Sequence, residues 1–163
     1  MKQDAQQLLR CLNTHKRLYE LMLEKGEKKR RAVIENNIAD LENILEEEKE
    51  LIKQIEAVEN LRIKSAQDMA KRLNIEGEIT HDKLMERDSE AKKEFGDINV
   101  EIKTLLNRMK DLNGINGALL QKRLAYIEDV KSSFFDDPGN NYGADGKDKK
   151  STIQNMNLFD RMV

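Results

Sequence analysis

The stretch Ile34-Glu-Asn-Asn-Ile-Ala-Asp-Leu41 separates two long runs of helical periodicity and supplies a turn between them. Asn36 and Asn37 break the apolar spacing, and Asn37 followed by Asp40 has the form of a helix N-cap with an acidic first turn. Upstream, over residues 4–35, Leu8, Leu12, Leu18, Tyr19, Met22 and Val33 recur at helical spacing, with His15 and Gly26 interrupting the seam. Downstream, over residues 38–73, Leu41, Ile44, Leu45, Leu51, Ile52, Ile55, Val58 and Leu61 continue among strong helix formers without an internal Gly or Pro.

Residues 74–80 end the second run, and Thr80 can cap a third helix over residues 81–134. Its positions Leu84, Ala91, Phe95, Ile98, Ile102, Leu105, Met109 and Leu112 alternate by three, four or seven, as do the later Leu119, Tyr126 and Val130. Short connections join antiparallel neighbours, so the expected fold is all-α: an elongated antiparallel three-helix bundle with coiled-coil-like packing over residues 1–136. Pro138 and the Gly- and Asn-rich residues after it stop a helix, so residues 137–163 read as a flexible C-terminal tail. That tail is polar until Met156, Leu158, Phe159 and Met162.

Composition agrees with narrow apolar seams. Of 163 residues, 38% are hydrophobic, 37% charged and 4% aromatic, and Trp is absent. Lys and Arg total 29 against 31 acidic residues, a formal charge of -2, which supplies no long-range field for nucleic acid. The start, MKQDAQQLLR, lacks the apolar run of a secretory signal, and no stretch reaches the roughly 20 apolar residues that span a bilayer. With one cysteine, Cys11, and no membrane insertion, the expectation is a cytoplasmic protein.

Two features depart from a plain bundle. At about 1.5 Å per residue the first two helices reach roughly 50 Å and a continuous third roughly 80 Å, so the third must overhang. Its C-terminal half also carries a broad apolar face: Leu105, Leu106, Met109, Leu112, Ile115, Leu119, Leu120, Leu124, Ile127, Val130 and Phe134. Such a stripe suits helix-in-groove recognition of another protein, because a docked helix removes apolar area from water. The alternative is ordinary core closed by the hairpin, the tail or a second copy in a homodimer. Within the same helix, Gly114 and Gly117 each weaken the helix by about 1 kcal/mol relative to alanine. They either let another backbone approach or permit a bend, while Asn113 and Asn116 offer amides to backbone groups one turn apart.

The basic run Lys28, Lys29, Arg30 and Arg31 should lie near Glu42, Glu46, Glu47 and Glu48 across the hairpin, giving partial charge pairing. No enzyme, cofactor or metal site is expected. His15, His81 and Cys11 share no ligand spacing, Glu46 to Glu50 fan around a helix face, and no Gly-rich phosphate loop follows a strand.

Asn113, Asn116, Gly117, Leu119 and Leu120 resemble the Asn-x-x-Asn-(Gly)-x-Leu-Leu pattern in the last long helix of FlgN-type flagellar export chaperones. Tyr142-Gly-Ala-Asp-Gly146 resembles the Tyr-Gly-Ala-Asp/Asn-Gly element after it, and the first hairpin is similar too. The resemblance implies a type III export chaperone whose clients are the C-terminal helical regions of the hook-filament junction proteins. Client binding would fall on Leu105, Met109, Leu112, Asn113, Asn116, Gly117, Leu119, Leu120, Leu124, Ile127, Val130 and Phe134. It further implies that Tyr142 and Gly143 dock on the cytoplasmic domain of the export gate protein FlhA. A structural coiled-coil or adaptor forming a stable oligomer, and a bundle that sequesters a regulator, are the competing readings.

Overall fold

The computed structural model of the protein describes residues 1–88 and 90–135, residues 134 and 135 by their backbone only. These residues form four helices and no strand: α1 (Gln3–Ile34), α2 (Ile38–Arg72), α3 (His81–Arg87) and α4 (Lys92–Phe135). The expected single helix over 81–134 is therefore two, broken around residues 88–91. Asp88 leaves helical geometry at φ -127°, ψ 84°. Its backbone N–H closes α3 on the Leu84 carbonyl at 3.1 Å, and its own carbonyl accepts from Ala91 at 3.3 Å. Asp favours helix ends because its side chain competes for local polar groups. Here it is held by Arg72, whose Nη2 donates to Asp88 Oδ2 at 2.7 Å while Nε donates to Asp4 Oδ2 at 2.6 Å.

The Asn36–Asn37 turn is set by backbone conformation and local hydrogen bonds. Asn36 takes φ 57°, a left-handed conformation that asparagine tolerates better than most side chains. The Asn37 N–H then reaches back to the Ala32 carbonyl at 2.9 Å and the Asn36 N–H to Val33 at 3.3 Å, the paired bonds of a Schellman ending. Asn37 Oδ1 accepts from the Asp40 N–H at 3.1 Å and caps α2. Asn74, at φ 52°, ends α2 in the same manner, with Ile75 N–H on Ala70 and Asn74 N–H on Lys71. Thr80 caps α3 through the Lys83 N–H at 3.4 Å.

Cross-helix bonds set the directions. Lys29 with Glu48, His15 with Ile55 and Asp4 with Arg72 descend along α2 as they ascend along α1, an antiparallel hairpin. The N-terminal ammonium with Glu90, Lys16 with Glu101 and Gly26 with Asn116 ascend together, so α4 runs parallel to α1.

The core divides along this axis. At the open end of the hairpin, Ala5, Leu8, Leu12, Ala66, Met69, Leu84, Met85 and Phe95 form one cluster, to which α3 contributes Leu84 and Met85. Nearer the turn, Leu18, Tyr19, Met22, Leu51, Ile55, Leu105 and Met109 form the second. Between them sits a polar layer. His15 is buried, its Nε2 lies 3.3 Å from the Ile55 carbonyl and 3.9 Å from Glu59, and its ring stacks on Tyr19 at 5.5 Å. Burial holds the imidazole below its ordinary pKa, against the opposing pull of the Ile55 carbonyl and Glu59. The same burial pushes the Tyr19 phenol well above its usual range.

Charge pairing across the hairpin is partial. Lys29 donates to both Glu48 oxygens at 2.8 Å, with both side chains largely shielded, and Lys25 pairs with Glu47. Lys28 instead pairs with Glu24 on its own helix, and Glu46 with Lys49.

Candidate functional site

The line of α4 that faces the core can be followed residue by residue toward the tip of the hairpin. Leu105, Met109 and Leu112 are buried, Leu105 and Met109 against Tyr19, Met22 and Ile55 and Leu112 against Gly26. Asn116 comes next and is 2% exposed. Leu119 and Leu120 are half-buried. Arg123 then donates from Nη2 to the Ile34 carbonyl at 2.6 Å, at the last residue of α1. Beyond that bond the hairpin turns away, and residues 124–135 extend past it for about 18 Å.

This geometry divides the expected client-binding residues. Leu105, Met109 and Leu112 belong to the bundle core. Asn113 is half-buried and Gly117 exposed. On the projecting segment Leu124 is 60% exposed and Ile127 45%, with Val130 half-buried. Ile127 and Val130 stand where core residues would stand if α1 and α2 continued, at spacings of seven or eight from Leu119, Leu120 and Arg123. Both prolong a core seam, yet Ile127 is exposed and Val130 only half-buried, since neither α1 nor α2 extends this far. Phe134 lies in α4 with only its backbone described, and Tyr142 and Gly143 lie outside the described residues.

Where the stripe leaves the hairpin, Val33, Ile34, Leu119, Lys122, Arg123 and Tyr126 line an open cleft of about 260 Å³. Tyr126 is 64% exposed and Ile115 45%, so both widen the apolar surface. Periodicity alone could not assign the Val33 and Ile34 edge of this cleft to the site, because it depends on where α1 stops relative to α4.

Asn116 is the polar residue built into this end. Its Nδ2 donates to the Gly26 carbonyl at 3.0 Å, ninety residues away in sequence, so one of the two asparagines does bind backbone. Its Oδ1 is buried with no hydrogen-bond partner among the described residues. Beside this bond Leu112 packs tightly on Gly26: a Cβ there would lie 2.7 Å from Leu112 Cδ2. The close helix approach thus occurs at Gly26. Added Cβ atoms at Gly114 and Gly117 would meet nothing within 4 Å, and α4 remains helical through both. The sequence signal for Gly26 was a glycine inside a helix of good formers.

Among the described residues no group of His, Cys, Asp or Glu could hold a metal ion, and no helix is long and apolar enough to cross a membrane. The described residues form an all-helical bundle with an apolar helix face exposed beyond the hairpin. A family model described as FlgN protein matches residues 1–150, and the chain belongs to the FlgN family. Membership implies a role as a flagellar export chaperone. Comparison with curated proteins and with solved structures gave no match.

Proposed function

We propose that this chaperone binds the C-terminal helical regions of the hook-filament junction proteins on the projecting part of α4, keeps them unassembled in the cytoplasm, and delivers them to the export gate. The observation that carries the reading is the continuation of the core seam past Arg123 into exposed Ile127, with exposed Leu124 beside it. A client helix laid along Leu119, Leu120, Leu124, Ile127 and Val130 would complete a packing surface that α1 and α2 leave unfinished. Leu105, Met109, Leu112 and Asn116 position that surface by fixing α4 on the hairpin. Gly117 leaves room for a close backbone, and Asn113 and Phe134 border the same line.

Ordering a client segment on this face offsets part of the apolar gain, which limits affinity and leaves release possible. In this reading Tyr142 and Gly143 contact the cytoplasmic domain of FlhA, a role that rests on the family resemblance of Tyr142-Gly-Ala-Asp-Gly146. A tyrosine among glycines offers a large ring and one hydroxyl at little entropic cost. The test is sedimentation of the full chain mixed with a junction protein. A stable heterocomplex supports the reading; a tight homo-oligomer that takes up no client would replace it with a structural coiled coil. Tyr142→Ala should then spare client binding and weaken capture by the FlhA cytoplasmic domain, and unchanged capture would remove the tyrosine from the gate contact.

A further inference from the structure

We propose that the segment Asn155-Met-Asn-Leu-Phe-Asp-Arg-Met162 of the same chain docks on the projecting stripe of α4 and competes with the client for it. This deepens the client-docking reading, since it assigns a second occupant to the same residues. Three observations support it. The first is the stripe itself, in which Leu124 and Ile127 are exposed and Leu119, Leu120 and Val130 only half-buried by the described residues. The second is the composition of the chain after α4. It is polar and Gly-rich through residue 150, and Met156, Leu158, Phe159 and Met162 then fall within seven positions. Leu158 and Met162 are four apart, and Met156, Phe159 and Met162 three apart, so one side of a helix wound there would carry all four. These residues lie beyond the family match, which ends at residue 150, so the cluster is additional to what the family model describes.

The third observation is reach. Residues 136–155 separate the end of α4 from Met156 and span at most about 70 Å when extended. Returning from Phe135 to Leu119 requires only about 24 Å along the helix. Pro138 disfavours an uninterrupted helix from α4 into the apolar cluster, which suits a return of the segment toward the bundle. A tether of this length gives an effective concentration in the millimolar range. A contact too weak to hold in trans would therefore be well occupied in cis, and a client would have to displace it.

The experiment uses the full chain and a full-length variant carrying Leu158→Asp and Phe159→Asp. The probe is a fluorescent synthetic peptide of residues 151–163, titrated into each and read by anisotropy. If the peptide binds the tail variant with Kd of about 100 µM, a cis competitor near 1 mM should weaken its binding to the wild-type chain roughly tenfold. Adding Ile127→Glu and Leu124→Glu to the tail variant should abolish it. Equal binding to wild type and tail variant, binding that survives the stripe substitutions, or no binding to the tail variant at millimolar peptide would each overturn the proposal. So would a dimer that dissociates on the tail substitutions, because the segment would then belong to a second copy. Client binding measured on the same proteins separates the two ideas. Full client affinity with no peptide effect sinks the tail contact alone, whereas a client that ignores the stripe substitutions sinks the client site.

Discussion

Gly26 offers the most quantitative check on how α4 meets the hairpin. A Cβ at this position would lie 2.7 Å from Leu112 Cδ2, well inside the 3.5–4.0 Å or so at which carbon atoms attract, while Leu112 Cγ at 3.4 Å would be in ordinary contact. Leu112 is 6% exposed, so it can yield only by leaving its rotamer or by parting the helices. Such overpacking costs about 1–3 kcal/mol. Alanine in a helix gains about 1 kcal/mol over glycine, so Gly26→Ala should destabilise by a net of about 0–2 kcal/mol. Leu112→Ala, a buried truncation, should cost about 2–5 kcal/mol. In the Leu112→Ala background the clashing Cδ2 is gone while the propensity gain persists. Gly26→Ala should there stabilise by about 1 kcal/mol, and the sign of its effect inverts. Urea unfolding of the four proteins, followed by far-ultraviolet circular dichroism, measures the cycle. Gly26→Ala effects that agree within about 0.5 kcal/mol in the two backgrounds would refute the contact.

Three further outcomes follow from other parts of the bundle. Lys29→Met leaves the shielded Glu48 carboxylate unpaired and should cost about 1–3 kcal/mol, most of it recovered by adding Glu48→Leu; a urea midpoint unchanged by Lys29→Met would contradict this. Because burial lowers the His15 pKa, the unfolded chain binds more protons between the folded-state value and the ordinary value of about 6.5. Stability should therefore fall as pH drops from neutrality through that window and level off below it. The half-buried His81, shifted the same way, should leave part of the slope in His15→Gln, and identical slopes of Tm against pH for the two proteins would exclude His15 as the source. Asn116→Asp removes the donor to the Gly26 carbonyl and buries a carboxylate, at about 3 kcal/mol or more, with partial recovery in acid as the carboxyl regains a proton to donate; a neutral effect on the urea midpoint at pH 7 would deny the bond its place.

Much of the scaffold could be read from local signals. The Asn36–Asn37 turn, the Asn37 cap and the Thr80 cap depend on residues within five positions of one another, and each appears where local chemistry calls for it. The overhang was also legible, because it follows from comparing helix lengths. The break near Asp88 was not, since a helical apolar period runs through it and the partner that holds Asp88, Arg72, sits on another helix. For the same reason the broad α4 stripe could not be divided by periodicity. Leu112 and Ile127 are similar as sequence positions, and only the end of α1 at Ile34 determines which is core and which is surface. The two glycines of α4 invited a close-approach reading, yet the approach falls at Gly26, whose significance depends on Leu112 and Asn116 across the bundle.

The central claim is that apolar surface beyond Arg123 receives a foreign helix, and Leu124→Glu with Ile127→Glu addresses it directly. Both side chains are substantially exposed in the free molecule, at 60% and 45%, so neither change should shift folding stability by more than about 0.5 kcal/mol each. Covering the exposed parts of both by a client would contribute about 2–3 kcal/mol, equivalent to roughly 30- to 150-fold in Kd, and the buried charges would remove still more. Isothermal titration of the double variant with the C-terminal helical region of a hook-filament junction protein should therefore show binding weakened at least about 30-fold, with unchanged helical circular dichroism. Wild-type affinity in a folded double variant would contradict the account.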